Sequence, residues 1–228
     1  EGIAQQTVKD VEIILVDSGS TDGTLAVAAR YPVQVVHIAP EEFTFGRSLN
    51  LGIQAASAEL LVFASAHVYP VYPDWLEKLL APFADPQIAL VYGKQRGGPS
   101  SKYSERQIFA SWYPDDAQQY QESPFCNNAN AAVRRDLAIE HPYNETLPGL
   151  EDLDWATRMM NAGYKIHYAP EAEIIHVHNE TPRAVFNRYK REAIAFKHIY
   201  IHERFGFLDF VRLSARNIVR DMQNAAHD

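Results

Sequence analysis

Short, nearly continuous apolar runs alternate with stretches of helical spacing through the first hundred residues. Glu12 to Val16, Val33 to Ile38, Glu59 to Ala64 and Ile88 to Gly93 read as strands, with helices from about Asp22 to Arg30, Ser48 to Ala56 and Asp74 to Phe83 between them. Strands apolar on both faces and separated by helices predict a mostly parallel sheet covered on both sides, the α/β layout of nucleotide-binding domains. The back half is less regular. A loop at Gly97 to Ser101 leads to a helix near Ser104 to Trp112, an extended piece at Asn130 to Val133, and a helix from Leu153 to Asn161 that Gly163 closes. Strands at Lys165 to Tyr168 and Glu173 to Val177 precede two helices, Pro182 to Ile201 and Leu208 to Met222. The last helix carries Leu208, Phe210, Val211, Leu213, Ile218, Val219 and Met222, with Arg212, Arg216 and Arg220 between them. That pattern fits either a helix packed on its own domain or one lying on a membrane surface. No repeat or long Pro/Gly/Ser linker divides the chain, so 1–180 read as one domain and 181–228 as a C-terminal helical extension.

Composition narrows the function classes. At 228 residues the chain is large enough to bury a core without disulfides or metal staples, and 46% apolar with 22% charged residues excludes disorder and fibrous repeats. Its longest apolar runs fall far short of the roughly 20 residues that span a bilayer. The lone cysteine, Cys126, permits no internal disulfide, and no charged-then-apolar leader precedes Glu1. These features fit a cytoplasmic location, or one at the inner face of the membrane. A net charge of -8 argues against general nucleic-acid binding and leaves room for a local anion pocket.

Polarity appears where the strands end. The first run leads into Asp17-Ser18-Gly19-Ser20-Thr21-Asp22-Gly23-Thr24, and the third into Ser65-Ala66-His67. In open α/β sheets the ligand crevice lies outside the carboxyl ends of the strands, so both clusters point to one place. A βα turn whose Ser, Thr and Asp cap the next helix explains the first cluster as well. Neither a G-x-G-x-x-G nor a Walker A loop is present, which removes the main support for dinucleotide and P-loop readings. Further along, Glu151, Asp152 and Asp154 crowd a helix start, where the dipole favours acids by itself. His176 and His178 sit two apart on a predicted strand and so share a face.

The stretch Val-Asp-Ser-Gly-Ser-Thr-Asp-Gly-Thr at 16–24 resembles the signature after the second strand of family 2 glycosyltransferases with the GT-A fold. Phe45-Gly46-Arg47-Ser48-Leu49-Asn50-Leu51-Gly52 is similar to the family's Gly-x-x-x-Asn-x-Gly segment. Ser65-Ala66-His67 falls where its Asp-x-Asp usually stands, Gly149-Leu150-Glu151-Asp152 resembles its Glu-Asp motif, and His176-Val177-His178-Asn179 resembles its late histidine motif. Five motifs in order are far more specific than any one. The Phe-Gly-Arg segment, Asn127 to Asn130 and His-x-His-Asn look most like bacterial rhamnosyltransferases of polysaccharide synthesis. Family members usually begin with a strand and a Pro-x-Tyr-Asn-like turn, and Glu1 to Asp10 resembles the end of the helix that follows. The resemblance therefore implies a missing first strand and an empty position in the sheet.

It also implies an inverting enzyme that moves a sugar from a nucleotide-sugar donor, dTDP-rhamnose or a UDP-sugar, to a hydroxyl of a glycan or lipid-linked acceptor. Asp152 becomes the general base and Glu151 the residue that orients it or the acceptor. Asp17, Ser18, Arg47, Ser65 and Ala66 become nucleotide contacts, and Asn128, Asn130 and Trp155 sugar or acceptor contacts, although Trp155, like Trp75 and Trp112, reads first as a core residue or groove wall. Ser18 stands where the family often has a second Asp, which leaves the base unspecified. Ser65 and His67 likewise replace carboxylates that hold Mg²⁺ or Mn²⁺ on the diphosphate. Imidazole suits Mn²⁺ and later metals better than Mg²⁺, so His67 with His176 is a candidate metal site. Metal-free stabilisation by Arg47 or Arg183 is the alternative. A non-catalytic nucleotide-sugar binding protein with a degraded Asp-x-Asp is the rival reading, but the Glu151-Asp152 pair argues against it because binding alone needs no base. Two sequons, at Asn144 and Asn179, are set aside for want of a secretory signal.

Overall fold

The computed structural model describes residues 2–178 and 180–226; Glu1 and Asn179, which two of the resemblances include, lie outside the described residues. In chain order the elements are β1 (Ile13–Asp17), α1 (Thr24–Ala28), β2 (Val33–His37), α2 (Phe45–Ala55), β3 (Leu60–Ala64), β4 (Val68–Pro70), α3 (Trp75–Leu80), β5 (Ile88–Gly97) and α4 (Tyr103–Trp112). There follow β6 (Asn130–Arg134), α5 (Arg135–Glu140), α6 (Glu151–Asn161), β7 (Lys165–His176), α7 (Pro182–Ile199) and α8 (Phe207–Ala225). Neither β4 nor α5 is announced by the sequence, because three and six residues are too short to show a period.

The α/β layout with flanking helices is as expected, but the sheet is mixed rather than mostly parallel. A parallel pair, β1–β2, stands beside a five-stranded sheet ordered β3-β6-β5-β7-β4. In the larger sheet only β5 and β7 pair in parallel, while β6 runs antiparallel to both β3 and β5 and β4 runs antiparallel to β7. The front-half strands β3 and β5 do share a direction. What the apolar pattern cannot register is that β6, arriving from the back half, lies between them. Burial on both faces, which made the strands apolar throughout, holds whichever way a neighbour runs. Among the described residues β1 and β3 each pair on one side only, and no ladder joins the two sheets.

Alternation along β5 divides the core in two. Leu90 and Tyr92 face a cluster with Ile53 of α2, Phe109 of α4 and Trp155, Ala156 and Met159 of α6; Val91 faces Trp75, Leu76 and Leu79 of α3. The two strands expected at the end of the domain are one strand, β7, whose register against β5 shifts between Gly93 and Gln95. Gly93 is required there, since a Cβ would stand 2.1 Å from the Ala172 carbonyl oxygen. Gly163 closes α6 at φ 94° as expected.

Residues 2–10 are turns and extended chain, not the end of a helix. Thr7 N–H bonds to the Pro73 carbonyl, and the buried Gln6 ties the segment to α3 by donating to Tyr72 O and accepting from Leu76 N–H. Helix α8, for which the pattern left two placements open, rests on the domain through polar contacts. Its polar side lies on α4, through Arg220 to Ser111 and Asn224 to Gln107, while its apolar side faces outward.

Candidate active site

The loop after β1 is organised by Asp17. Its carboxylate, buried, accepts the Gly19 and Ser20 N–H groups at 3.1 to 3.3 Å. The Ser20 hydroxyl, then these N–H groups, hold the Asp17 carboxyl below its usual range, with His37 Nδ1 3.6 Å away. Gly19 takes a φ of 87°, which turns the chain at that point. Ser18 follows, half-buried.

Arg47 opens α2, where the Thr44 hydroxyl accepts its N–H as an N-cap. The guanidinium faces Glu42 and Glu145 at 3.5 and 3.6 Å, and its Nε has no partner among the described residues. The rest of the Gly-x-x-x-Asn segment is a clamp. Asn50 donates to Tyr143 O and Glu145 Oε1 and accepts the Tyr143 N–H, all at 2.9 Å, while Gly46 lets the backbone of Asn144 approach. A Cβ at Gly46 would stand 2.4 Å from Asn144 O and 2.8 Å from its carbonyl carbon. Gly46→Ala is therefore expected to cost about 2 kcal/mol, as overpacking against backbone does, read as a lowered denaturation midpoint; an unchanged midpoint would show that the clamp yields freely.

Three imidazoles meet beyond β3 and β7. Ser65 and Ala66 form the turn that carries His67, and Ser65 N–H reaches Ala129 O at 3.4 Å. His67 Nε2 stands 2.8 Å from His176 Nε2, and the His176 and His178 rings lie 4.1 Å apart. Ligand atoms of the three lie within 4.8 Å of one another. On the far side of His176, Nδ1 is 2.7 Å from Gln95 Oε1, and His178 Nδ1 meets Glu105 Oε1. Each acceptor stands where it can take the Nδ1 proton, the arrangement found behind metal-bound histidines. Burial, followed by the neighbouring His178, His67 and Arg188, lowers His176 to about 3, so it stays neutral.

The acidic pair sits at the start of α6. Leu150, just before it, adopts φ 55°, the one non-glycine residue with positive φ among those described. Such strain is costly and is often found at functional sites. It delivers Glu151 and Asp152 into a buried position, 8% and 7% exposed. Asp152 accepts the Asn128 N–H at 3.2 Å and the Leu153 N–H at 2.8 Å. Burial pushes both carboxyls up, Glu151 to about 8 with help from the charge of Asp152. Around them, Cys126 and Tyr113 are buried within reach of that charge. The Asn128 side chain is buried here too, within hydrogen-bonding reach of both the Glu151 carboxyl and the Tyr143 hydroxyl.

Two expected contacts are corrected. Asn130 has no exposed surface, and its amide is used up: Oδ1 accepts the Trp75 indole N–H at 2.9 Å, while Nδ2 donates to Lys94 O and Ala172 O. It joins β6 to β5, β7 and α3. Trp155 is also wholly buried, stacked on Tyr143 with its indole N–H on His141 O, and belongs to the core. Several residues escaped sequence reasoning. Gln95 and Glu105 back the histidines, and Arg188 of α7, paired with Glu180 and Glu192, lies within electrostatic reach of His176. Glu192 in turn feels the charge of Asp152, so α7 spans the ground between the histidines and the acids. No hydrogen bond or ion pair joins Asp17 or Arg47 to either group among the described residues.

A family model described as "Glycosyl transferase family 2" matches residues 1–141. The O-antigen chain rhamnosyltransferase RfbN of Salmonella typhimurium is 31% identical over 202 residues, covering 83% of this chain and 64% of the relative. WbaN of Salmonella anatum, with the same description, is 31% identical over 204 residues, covering 81% of this chain and 62% of its own. The chain thus spans less than two thirds of the length of either. Among solved structures, a mannosyltransferase from Pyrobaculum calidifontis in complex with GDP-Man and Mn²⁺ superposes with a TM-score of 0.66 at 20% identity, over 92% of this chain and 61% of that one. S. aureus TarS 1–349 in complex with UDP-GlcNAc gives 0.65 at 15%, over 90% and 62%. At those identities the likeness is one of fold, and it is the GT-A fold.

Proposed function

The chain belongs to glycosyl transferase family 2, and from that premise we propose that it transfers a sugar, with inversion, from a nucleotide-sugar donor to a hydroxyl of a glycan or lipid-linked acceptor in polysaccharide synthesis. The similarity to two O-antigen rhamnosyltransferases favours dTDP-rhamnose as donor, ahead of a UDP-sugar. The observation that carries the reading is the buried acidic pair at the strained start of α6, with its carboxyls pushed up by burial.

In this reading Asp152 removes the proton of the acceptor hydroxyl as its oxygen bonds to the anomeric carbon, and the bond from that carbon to the diphosphate breaks. A carboxyl raised toward neutral pH suits that transfer. The pair binds one negative charge with one proton, so Glu151 stays protonated when Asp152 is ionised and can donate to the acceptor. Asn128, whose buried side chain stands beside the Glu151 carboxyl, is placed to hydrogen bond a sugar or acceptor hydroxyl. Asp17 holds the loop that cradles the nucleoside, with Ser18, Arg47, Ser65 and Ala66 as the further nucleotide contacts.

His67, His176 and His178 would hold a divalent cation, Mn²⁺ in preference to Mg²⁺. The residues fit: three imidazoles converge, and two are backed by the acceptors that metal-bound histidines use. Bound there, such a cation neutralises charge that leaves with the diphosphate. Arg188 adds a positive charge beside the same histidines.

The test is thermal unfolding against UDP, dTDP, GDP and CMP, each with Mn²⁺, Mg²⁺ or chelator. At 100 times the dissociation constant one nucleotide should add about 2.7 kcal/mol, roughly 5–10 °C for a chain of this size. The expected result is a shift with dTDP that needs Mn²⁺ and is lost in His67→Ala. A shift indifferent to chelator would move leaving-group stabilisation to Arg188 or Arg47, and no shift with any nucleotide would defeat the donor premise.

A further inference from the structure

Next to the acids and histidines, β5 runs on without one of its neighbours. It pairs with β6 only through Tyr92, while its pairing with β7 continues to Gly97, so Lys94 to Gly97 have no strand on the β6 side among the described residues. Helix α4 and the turn after it close that side instead. Arg106, Phe109, Ala110 and Tyr113 recur at i, i+3, i+4 and i+7, one face of the helix, and line a cavity of about 350 Å³ against the end of β5. Gly97 makes room for the arginine, since a Cβ there would stand 3.0 Å from Arg106 Cγ. The volume lies at the lower end of the range of small-molecule sites, enough for one sugar ring with a substituent. The Phe109 ring stacks on His176 with centroids 6.0 Å apart, and Tyr113 feels the charge of Asp152, so the cavity borders both the histidines and the acids.

The rest of the lining mixes donors with acceptors. Glu173, buried on β7, lies 3.3 Å from Arg96 Nε and 3.8 Å from Lys94 Nζ, and Lys94 also reaches Asp115. Gln95 is 1% exposed; its Oε1 meets His176 Nδ1 at 2.7 Å, and its Nε2 is buried with no partner among the described residues. A buried amide N–H left unpaired is costly, so a hydrogen-bond acceptor is called for there. Two carboxylates on the wall disfavour a bare polyanion such as phosphate, whose oxygens they repel. Hydroxyls suit the whole set, because they donate to carboxylates and accept from ammonium, guanidinium and amide groups. Phe109, Ala110 and Pro114 supply the apolar surface on which the C–H face of a sugar ring can lie. The charges leave one cation over. Lys94 and Arg96 are answered by Asp115 and Glu173, whereas Arg106 has no hydrogen bond or ion pair from its side chain among the described residues. A free guanidinium on the rim of such a cavity takes one anionic group with paired hydrogen bonds.

We propose that this cavity is a subsite for a pyranose carrying one anionic group, a phosphate or a carboxylate, with the ring hydroxyls on the wall formed by β5 and β7 and the anion on Arg106. That the ring is a unit of the acceptor rests on the transferase reading, since the cavity borders Asp152 through Tyr113. Binding itself does not rest on that reading, because it is measured without donor or metal.

The experiment is saturation-transfer NMR and titration of the full chain, in chelator, with the 1-phosphates and the uronates of glucose and galactose, the two neutral sugars and inorganic phosphate. The expected result is that at least one anionic sugar binds about tenfold more tightly than its neutral sugar and than phosphate alone. Arg106→Gln should lower that affinity about tenfold, to the level of the neutral sugar, the effect of losing a charged hydrogen-bonding partner. Ala110→Trp should fill the cavity and abolish binding of every sugar. Ala110 is exposed on α4 and the Arg106 side chain has no partner to lose among the described residues, so the melting temperature of both variants should match the parent, which separates a lost subsite from lost folding. Preference for a sugar phosphate supports the proposal with phosphate as the anion, and preference for a uronate supports it with carboxylate. No binding of any anionic sugar would overturn the proposal, as would binding that survives Ala110→Trp or is undiminished in Arg106→Gln. So would a neutral sugar, or phosphate alone, that binds as tightly as the anionic sugars. Absence of nucleotide-dependent stabilisation with sugar binding retained would count against sugar transfer and leave the subsite in place.

Discussion

Asp152→Asn is expected to lower kcat by about 100- to 10,000-fold, the range that a positioned general base supplies, with nucleotide-dependent stabilisation unchanged. The substitution keeps the shape of the side chain and removes its capacity to take a proton. One oxygen remains to accept the Asn128 or the Leu153 N–H, and the loss of a buried charge offsets the loss of the other bond. A fall in stability large enough to unfold the site is therefore not expected, and a melting temperature within a few degrees of the parent checks that. The pH profile of the parent gives the second readout. With the Asp152 carboxyl raised by burial, turnover should fall as pH drops through a pKa above the usual aspartate range. Release of nucleoside diphosphate from the donor, followed in a single turnover, measures both. Turnover unchanged in Asp152→Asn would remove Asp152 from its role and leave the acidic pair as a helix start.

Much of this arrangement was legible because it rests on short-range chemistry. The polar turn after β1 follows from a strand that ends in Asp-Ser-Gly, and the shared face of His176 and His178 follows from the period of a strand. The acids at the start of α6 follow from the same preference for negative charge that makes their functional reading ambiguous. What the sequence concealed depends on distant parts of the chain. Asn130 reads as a polar residue in a motif, yet its three bonds go to Trp75, Lys94 and Ala172, which only the fold brings around it. Gln95 looks like one more residue of a strand until β7 sets His176 against it. Arg188 is one of several basic residues on α7, and its partners distinguish it. Strand direction is hidden for the same reason: an apolar run records burial, not the heading of the strand beside it. The amphipathic period of α8 was plain, but a period does not say which way the helix turns its faces.

The function of the acidic pair has a counterpart in stability. Burial raises Glu151 to about 8 in the folded chain, against 4.5 for the free side chain. Between those pH values the folded state holds a proton that the unfolded state has released, so stability contributed by protonated Glu151 is fully present below about pH 4.5 and declines until pH passes about 8. At about 1.4 kcal/mol per unit, the decline due to Glu151 approaches 5 kcal/mol, and Asp152, shifted in the same direction, adds to it. Glu151→Gln replaces the ionisable group with a neutral one of the same shape and removes the part of that decline due to Glu151. The variant should match the parent near pH 4.5 and melt about 10 °C higher near pH 8.5, taking 2–4 °C per kcal/mol for a chain of this length. The comparison must be made as a difference between the two proteins, because Asp17, Glu12 and Asp85, with carboxyls lowered by hydrogen bonds, change stability with pH in the opposite sense and cancel only in the difference. A gap that does not widen with pH would show that Glu151 ionises as it would in water. A widening gap would mean that the chain gives up stability to keep two carboxyls out of water, where one can hold a proton while the other takes one.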